Sequence, residues 1–197
     1  MATAFTQRER EQIREALLQV ALRYASQGGI RHVTVDAIAR EAGISKGAFY
    51  SFFESKEYLF LAMVEAIHRE MYGNAERILE KSQDMPIVDR VYMMVSEVYR
   101  VARERNVIGF VRSEVPLMLR RLPPEKTRKL YHDDGEYIRS LIEKGRFQLT
   151  TEIGTACTVV RLILSTLQTR EEMGDHFDEA MKTIIQGSCR QLIQGFQ

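Results

Sequence analysis

Thr34-Val35-Asp36-Ala37-Ile38-Ala39-Arg40-Glu41-Ala42-Gly43-Ile44-Ser45-Lys46-Gly47-Ala48-Phe49-Tyr50-Ser51-Phe52-Phe53-Glu54-Ser55-Lys56-Glu57-Tyr58-Leu59 carries two helix-start signals only eleven positions apart. Thr34 and Ser45 each suit a cap, because a hydroxyl oxygen can accept a hydrogen bond from a free N–H of the first turn. The helices between 35 and 53 are therefore very short, and short helices need each other to be stable. Ala39 is small where two helices cross, and Gly43, four residues on, stands where a turn wants a left-handed residue. Val35, Ile38, Ile44, Phe49 and Phe52 supply apolar contacts that lock the second helix across the first, so the spacing predicts a helix-turn-helix. The second helix, at about 46–52, then turns Lys46, Gly47, Ala48, Tyr50 and Ser51 to solvent, and such a helix can enter a major groove.

That face has no Asn, Gln or Arg, so direct base readout is expected to be sparse. Lys46 can reach a guanine edge or a phosphate, Gly47 and Ala48 permit close approach and contact with a thymine methyl, and Tyr50 offers a hydroxyl to a phosphate. Thr34 and Lys56 flank the motif, and Ser45 starts its second helix. The helix starts near Thr34 and Ser55 also present free N–H groups that suit phosphate oxygens.

Working outward, the same period continues almost throughout the chain, with no sustained alternation of period two, and the chain reads as all-α. Thr6-Gln7-Arg8-Glu9 is a capping box; Ile13, Leu17, Val20, Ala21 and Tyr24 form the stripe that follows it, and Gly28-Gly29 ends that helix. Ser55 caps a longer helix that runs to about Leu79. From Pro86 the helices are longer and richer in apolar residues, at about 87–105, 107–122, 124–147, 151–167 and 175–196, with Pro116 breaking or kinking the second of them. The expected organisation is an N-terminal three-helix helix-turn-helix domain over residues 1–56 and a larger C-terminal helical bundle over 57–197.

Composition narrows the function classes without choosing one. Of 197 residues, 45% are hydrophobic and 28% charged, which excludes wholesale disorder and disulfide-dense or collagen-like scaffolds. The net charge of +1 removes global basicity as an argument for nucleic-acid binding, and residues 1–56 carry only +2 against −1 for the rest, so any basic face must be local. No apolar run is long enough to cross a bilayer and no signal-peptide core opens the chain, so a cytoplasmic protein without membrane association is expected. Cys157 and Cys189 sit inside helical patterns without Cys-x-x-Cys spacing and read as packed, reduced thiols.

The stretch from Thr34 to Leu59, with the helix before it, resembles the DNA-binding signature of the tetracycline-repressor (TetR) family. The resemblance covers roughly the first 60 residues. It implies a nine- or ten-helix homodimeric repressor whose C-terminal domain binds a small molecule that releases DNA. By position, Thr34, Lys46, Tyr50 and Lys56 match the family's usual phosphate contacts, with Gly47 and Ala48 near the bases.

Other constellations carry less. Glu65-Ala66-Ile67-His68 has the spacing of a di-metal carboxylate site but occurs once where such a site needs two copies, and His132-Asp133-Asp134-Gly135-Glu136 places its acids on different helix faces. No metal, cofactor or catalytic motif is expected. An effector pocket is expected between the helices carrying Tyr92, Met94, Val98, Phe110, Glu114, Met118, Tyr137 and Arg161, mostly apolar, with Glu114 and Arg161 interrupting apolar runs and selecting the ligand's polar end. A small apolar or amphipathic molecule would fit it. Residues 153–167 are apolar on two faces, and Phe177, Met181, Ile184, Ile185, Leu192 and Ile193 form a stripe on the last helix, so these helices are expected to pair with a second copy. Two-fold symmetry then implies a near-palindromic double-stranded operator. The rival reading is a helical small-molecule carrier that never touches DNA.

Overall fold

A computed structural model describes residues 5–27 and 29–194, and of residues 125–135 the backbone alone. The described residues form α1 (Gln7–Gln27), α2 (Val35–Glu41), α3 (Lys46–Phe49), α4 (Lys56–Lys81), α5 (Ile87–Arg105), α6 (Ile108–Ser113), α7 (Val115–Leu119), α8 (Pro124–Gly145), α9 (Ile153–Ser165), a 3-10 turn (Thr166–Thr169), α10 (Arg170–Met173) and α11 (Phe177–Leu192). The only extended pairing among them is a single bridge between Leu149 and Ile193, so the all-α expectation holds.

Local chemistry explains most of the boundaries. Glu9 accepts from the Thr6 backbone N–H at 2.8 Å while Glu9 N–H donates to Thr6 Oγ1 at 3.3 Å, closing the expected capping box, and the Thr6 backbone N–H, with the Thr6 hydroxyl that also donates to Glu9, holds the Glu9 carboxyl below the usual carboxylate range. α5 ends at Arg105 because Asn106 adopts the left-handed conformation, φ 49°. The helix expected at 107–122 is instead two. Pro116 lacks the N–H that would reach back to Arg112, and the chain breaks at Glu114 before restarting as α7. The last helix stops at Leu192 rather than running to 196: Ile193 is extended, Thr150 N–H donates to the Leu192 carbonyl at 2.9 Å, and Gln194 N–H donates to the Gln148 carbonyl at 3.0 Å. The described part of the chain also contains α10, a four-residue helix that the period did not reveal.

The chain forms two compact units, one of Met1–Ile67 with Gly109–Pro124 and the other of His68–Ile108 with Glu125–Gln197. This division differs from a cut at 56/57 for a packing reason. Leu59, Phe60 and Met63, early in α4, are almost completely buried, and the Phe60 ring lies 5.5 Å from that of Phe110 on α6. Burial of two aromatic rings against each other draws both segments into the first unit. α4 contributes residues to both units.

In the second unit α5, α9 and α11 pack together around Val91, Met94, Val95, Ile163, Met181 and Ile185. The last helix shares in this core. Phe177, Met181, Ile185 and Ile193 are buried within the protomer's own core, and of that stripe only Ile184 stands strongly exposed. Cys157 and Cys189 are buried and unbridged, and burial pushes the Cys189 thiol up to about 11, which keeps it protonated and inert.

Candidate nucleic-acid interface

α2 and α3 are built by the signals that the sequence carries. Thr34 Oγ1 accepts from Ala37 N–H at 3.2 Å and Ser45 Oγ accepts from Ala48 N–H at 3.1 Å, so both hydroxyls cap their helices. Gly43 takes φ +73°, the left-handed turn expected of it, and Ile44 N–H closes the turn onto the Ala39 carbonyl at 2.9 Å. Ala39 is buried, which lets the two short helices cross closely. Ile38 and Phe49 are completely buried. Phe53 joins them, its ring 6.1 Å from Phe49, whereas Phe52 is half-buried under the Arg10 guanidinium and beside Phe5. α3 itself is shorter than the expected 46–52 and continues beyond Phe49 as turns. Arg23 and Tyr24 of α1 both bond the Glu41 carboxylate, tying α1 to α2.

The outward face is the expected one. Lys46, Gly47 and Tyr50 are exposed and Ala48 is half-buried. Lys46 Nζ pairs with Asp36 Oδ2 at 2.8 Å, and that carboxylate raises the ammonium above the ordinary lysine range. Asp36 was not among the expected site residues; its spacing ten positions before Lys46 carries no helical signal, and only the crossing of α2 and α3 brings the two together. Thr34, Tyr50, Ser55 and Lys56 line one open depression of about 390 Å³, with Arg31 and His32 beside them and Glu54 and Glu57 on its wall. A concavity with hydroxyl and cationic donors suits a phosphate oxygen.

Lys56 has a second role that its position in the sequence did not reveal. Its Nζ donates to the Ile30 carbonyl at 2.9 Å and to the Val33 carbonyl at 2.8 Å, which uses two of the three ammonium donors to hold the loop before α2. The same loop is held from another side. Glu114 is buried and pairs with Arg31 at 3.0 Å, and Gly29, at φ +90°, leaves the space that its Cβ would occupy to the Glu114 side chain, 2.9 Å away. Glu114 therefore finds its partner in the first unit.

The residues expected around an effector divide between the units. Met94, Val98 and Arg161 line a cavity of about 110 Å³ in the second unit, and Tyr137 stacks at 4.2 Å on Tyr72, another residue of its wall. Tyr92 packs half-buried against the same core. Phe110, Glu114 and Met118 belong to the first unit, where Phe110 meets Phe60 and Met118 is buried. His68, set aside as half of a metal motif, lines the cavity instead, its ring edge-on to Tyr72. Among the described residues no group of three His, Cys, Asp or Glu is placed to hold a metal ion. The side chains of Tyr131, His132, Asp133 and Asp134 lie outside the described residues.

Two short capped helices crossing at a small residue and a left-handed glycine, with a polar face on the second, define a helix-turn-helix DNA-binding protein. Residues 17–63 match the sequence model of the bacterial regulatory proteins of the tetR family. The chain is 25% identical to the HTH-type transcriptional regulator YhgD of Bacillus subtilis over 67% of its own length and 68% of that protein's. It is 31% identical to the nucleoid occlusion factor SlmA of Aliivibrio fischeri, over 43% of this chain and 41% of that one, so the match spans less than half of SlmA. The fold is that of a TetR family transcription regulator from Marinobacter aquaeolei, with a TM-score of 0.70 at 17% identity over 96% of this chain and 100% of that one. Residues 17–63 thus match the N-terminal region of the tetR family of bacterial regulatory proteins, and the fold of the chain is the one that solved TetR-family regulators have.

Proposed function

We propose that the protein is a homodimeric repressor that binds a near-palindromic stretch of double-stranded DNA and leaves it when a small apolar or amphipathic molecule enters the second unit. It acts in the cytoplasm, by binding and not by catalysis. The observation that carries the DNA half of this reading is the capped α2–turn–α3 corner, with Lys46 and Tyr50 exposed on one side and Phe49 buried on the other. On DNA, Lys46, Gly47 and Ala48 approach the base edges, while Thr34, Ser45, Tyr50 and Lys56 bond phosphates and set the register.

Exposed Leu162 on α9 and Ile184 on α11 support pairing with a second copy through these helices. The effector reading is supported by the cavity beside Met94, Val98 and Arg161. A ligand releases DNA only if it binds the released state more tightly than the bound one. α4 has residues in both units, so a small tilt of it alters the spacing of two recognition helices, which must match the roughly 34 Å turn of B-DNA. The test is an electrophoretic shift with the DNA that flanks the coding sequence, repeated over a range of salt. Binding that weakens steeply with salt is expected, because phosphate contacts release counterions. No duplex binding at low salt would leave the carrier reading.

A further inference from the structure

Lys46 opens α3 and Asp36 lies in the first turn of α2, and the crossing of these two helices leaves the ammonium 2.8 Å from Asp36 Oδ2. Both side chains are open to solvent, with 54% of Lys46 and 63% of Asp36 exposed. The fold has little need of this pair. Exposed ion pairs add little to stability, and the start of α2 is already capped by the Thr34 hydroxyl, which accepts from Ala37 N–H. What the pair does is hold a donor and an acceptor side by side at the exposed start of the recognition helix.

A base pair presents the complement of that arrangement. In the major groove guanine offers two acceptors, N7 and O6, and the cytosine opposite it offers the N4 amino donor. O6 and N4 bond each other within the base pair, which sets them about 2.9 Å apart. Lys46 Nζ and Asp36 Oδ2 have nearly the same separation. An ammonium carries three donors and a carboxylate has two oxygens with several acceptor positions, so the bond between Lys46 and Asp36 uses one of each and leaves donors for O6 and N7 and acceptors for N4. The pairing also settles the charge. A lone carboxylate is repelled by the phosphates that line a groove, whereas an ion pair enters it with no net charge.

We infer that the paired Lys46 and Asp36 read one G·C base pair per recognition helix as a unit, with Lys46 on guanine O6 and N7 and Asp36 on cytosine N4. This rests on the DNA-binding reading proposed above and adds Asp36 to it as a residue that specifies sequence. The other base pairs match less well. With thymine under Lys46 and adenine under Asp36 the order of donor and acceptor is kept, but the ammonium meets one acceptor and a methyl group in place of two acceptors. C·G and A·T set the ammonium against an amino group and the carboxylate against an acceptor. G·C therefore ranks first, T·A second, and the two reversed pairs last.

The test selects duplexes from a random pool with the full chain, then sets duplexes that differ at one base pair in competition. The wild type is expected to prefer G·C over C·G at one position of each selected half-site by at least about tenfold, and over T·A by a smaller factor. Asp36→Ala and Lys46→Ala should each cut the preference over C·G at least about fivefold, at that same position, and leave the other positions as they are. A preference is a ratio taken on one sample, so a lower folded fraction in a variant cancels from it. Selected sequences without such a position, T·A bound as well as G·C there, a preference that survives either variant, or the two variants relaxing different positions would each overturn the assignment while leaving DNA binding in place. A wild type that retains no duplex from the pool at low salt would instead sink the DNA-binding reading itself.

Discussion

Gly43 stands at φ +73° with nothing within 4 Å of where a Cβ would sit, so its requirement is conformational and not one of space. Gly43→Val should therefore destabilise the first unit by about 1–3 kcal/mol through backbone strain alone, seen as a lower thermal midpoint. Lys46→Ala and Tyr50→Phe should do the opposite, weakening duplex binding in a shift assay with little change in that midpoint, because both side chains are exposed. Normal binding by both variants would remove α3 from the groove. Glu114 behaves as a buried structural charge, so Glu114→Gln should lower stability by about 1–3 kcal/mol and weaken DNA binding, with effector affinity unchanged. A variant that loses effector affinity and keeps its midpoint would return Glu114 to the pocket.

Between residue and whole, the caps and the ties between helices set which elements persist. Thr34→Ala and Ser45→Ala each remove a side-chain acceptor from a helix start and should each cost about 1 kcal/mol in denaturant unfolding, and each should also weaken duplex binding in a shift assay, since both hydroxyls are proposed phosphate contacts. In the second unit Glu97 joins α4 to α5, accepting from Arg100 Nη2 at 2.6 Å and from Asn74 Nδ2 at 2.6 Å. The Arg100 guanidinium, first, and then the Asn74 amide hold its carboxyl below its ordinary 4.5. A lowered carboxyl stabilises the fold above the unfolded value and loses that contribution as pH falls through the folded one. Unfolding followed from pH 7 downwards should show stability falling below about pH 4.5, with a flatter profile in Glu97→Gln. Identical profiles would mean that the tie contributes nothing.

At the scale of the molecule the dimer reading makes a sharp distinction between two positions on one helix. Ile184 is 48% exposed while Met181, three residues earlier, is 3% exposed, and Leu162 on α9 is 61% exposed. Leu162→Glu with Ile184→Glu should give a folded monomer by light scattering, at micromolar concentration, because neither side chain contributes to the protomer's core. Met181→Glu should instead unfold the second unit, since it buries an unpaired charge. A double variant that remains a dimer would place the interface on another surface.

The helix-turn-helix was legible in the residues because everything that specifies it is local. Thr34 and Ser45 cap, Gly43 turns left-handed and Ala39 is small, and each acts within a few positions of itself. The expected helix at about 87–105 is α5 for the same reason, since Pro86 stands before its start and Asn106 turns left-handed after its end. Three matters waited for the tertiary structure. Periodicity shows that α11 has an apolar stripe but not what covers it, and packing turned most of that stripe inward against α5 and α9. Glu114 reads as a charge in an apolar run, and only the fold supplies Arg31 as its partner across 83 positions of sequence. Lys56 reads as a phosphate contact, yet two loop carbonyls engage its ammonium. A sequence determines by itself what a residue does to its own turn of chain; what a face or a charge meets depends on distant segments that only packing brings together.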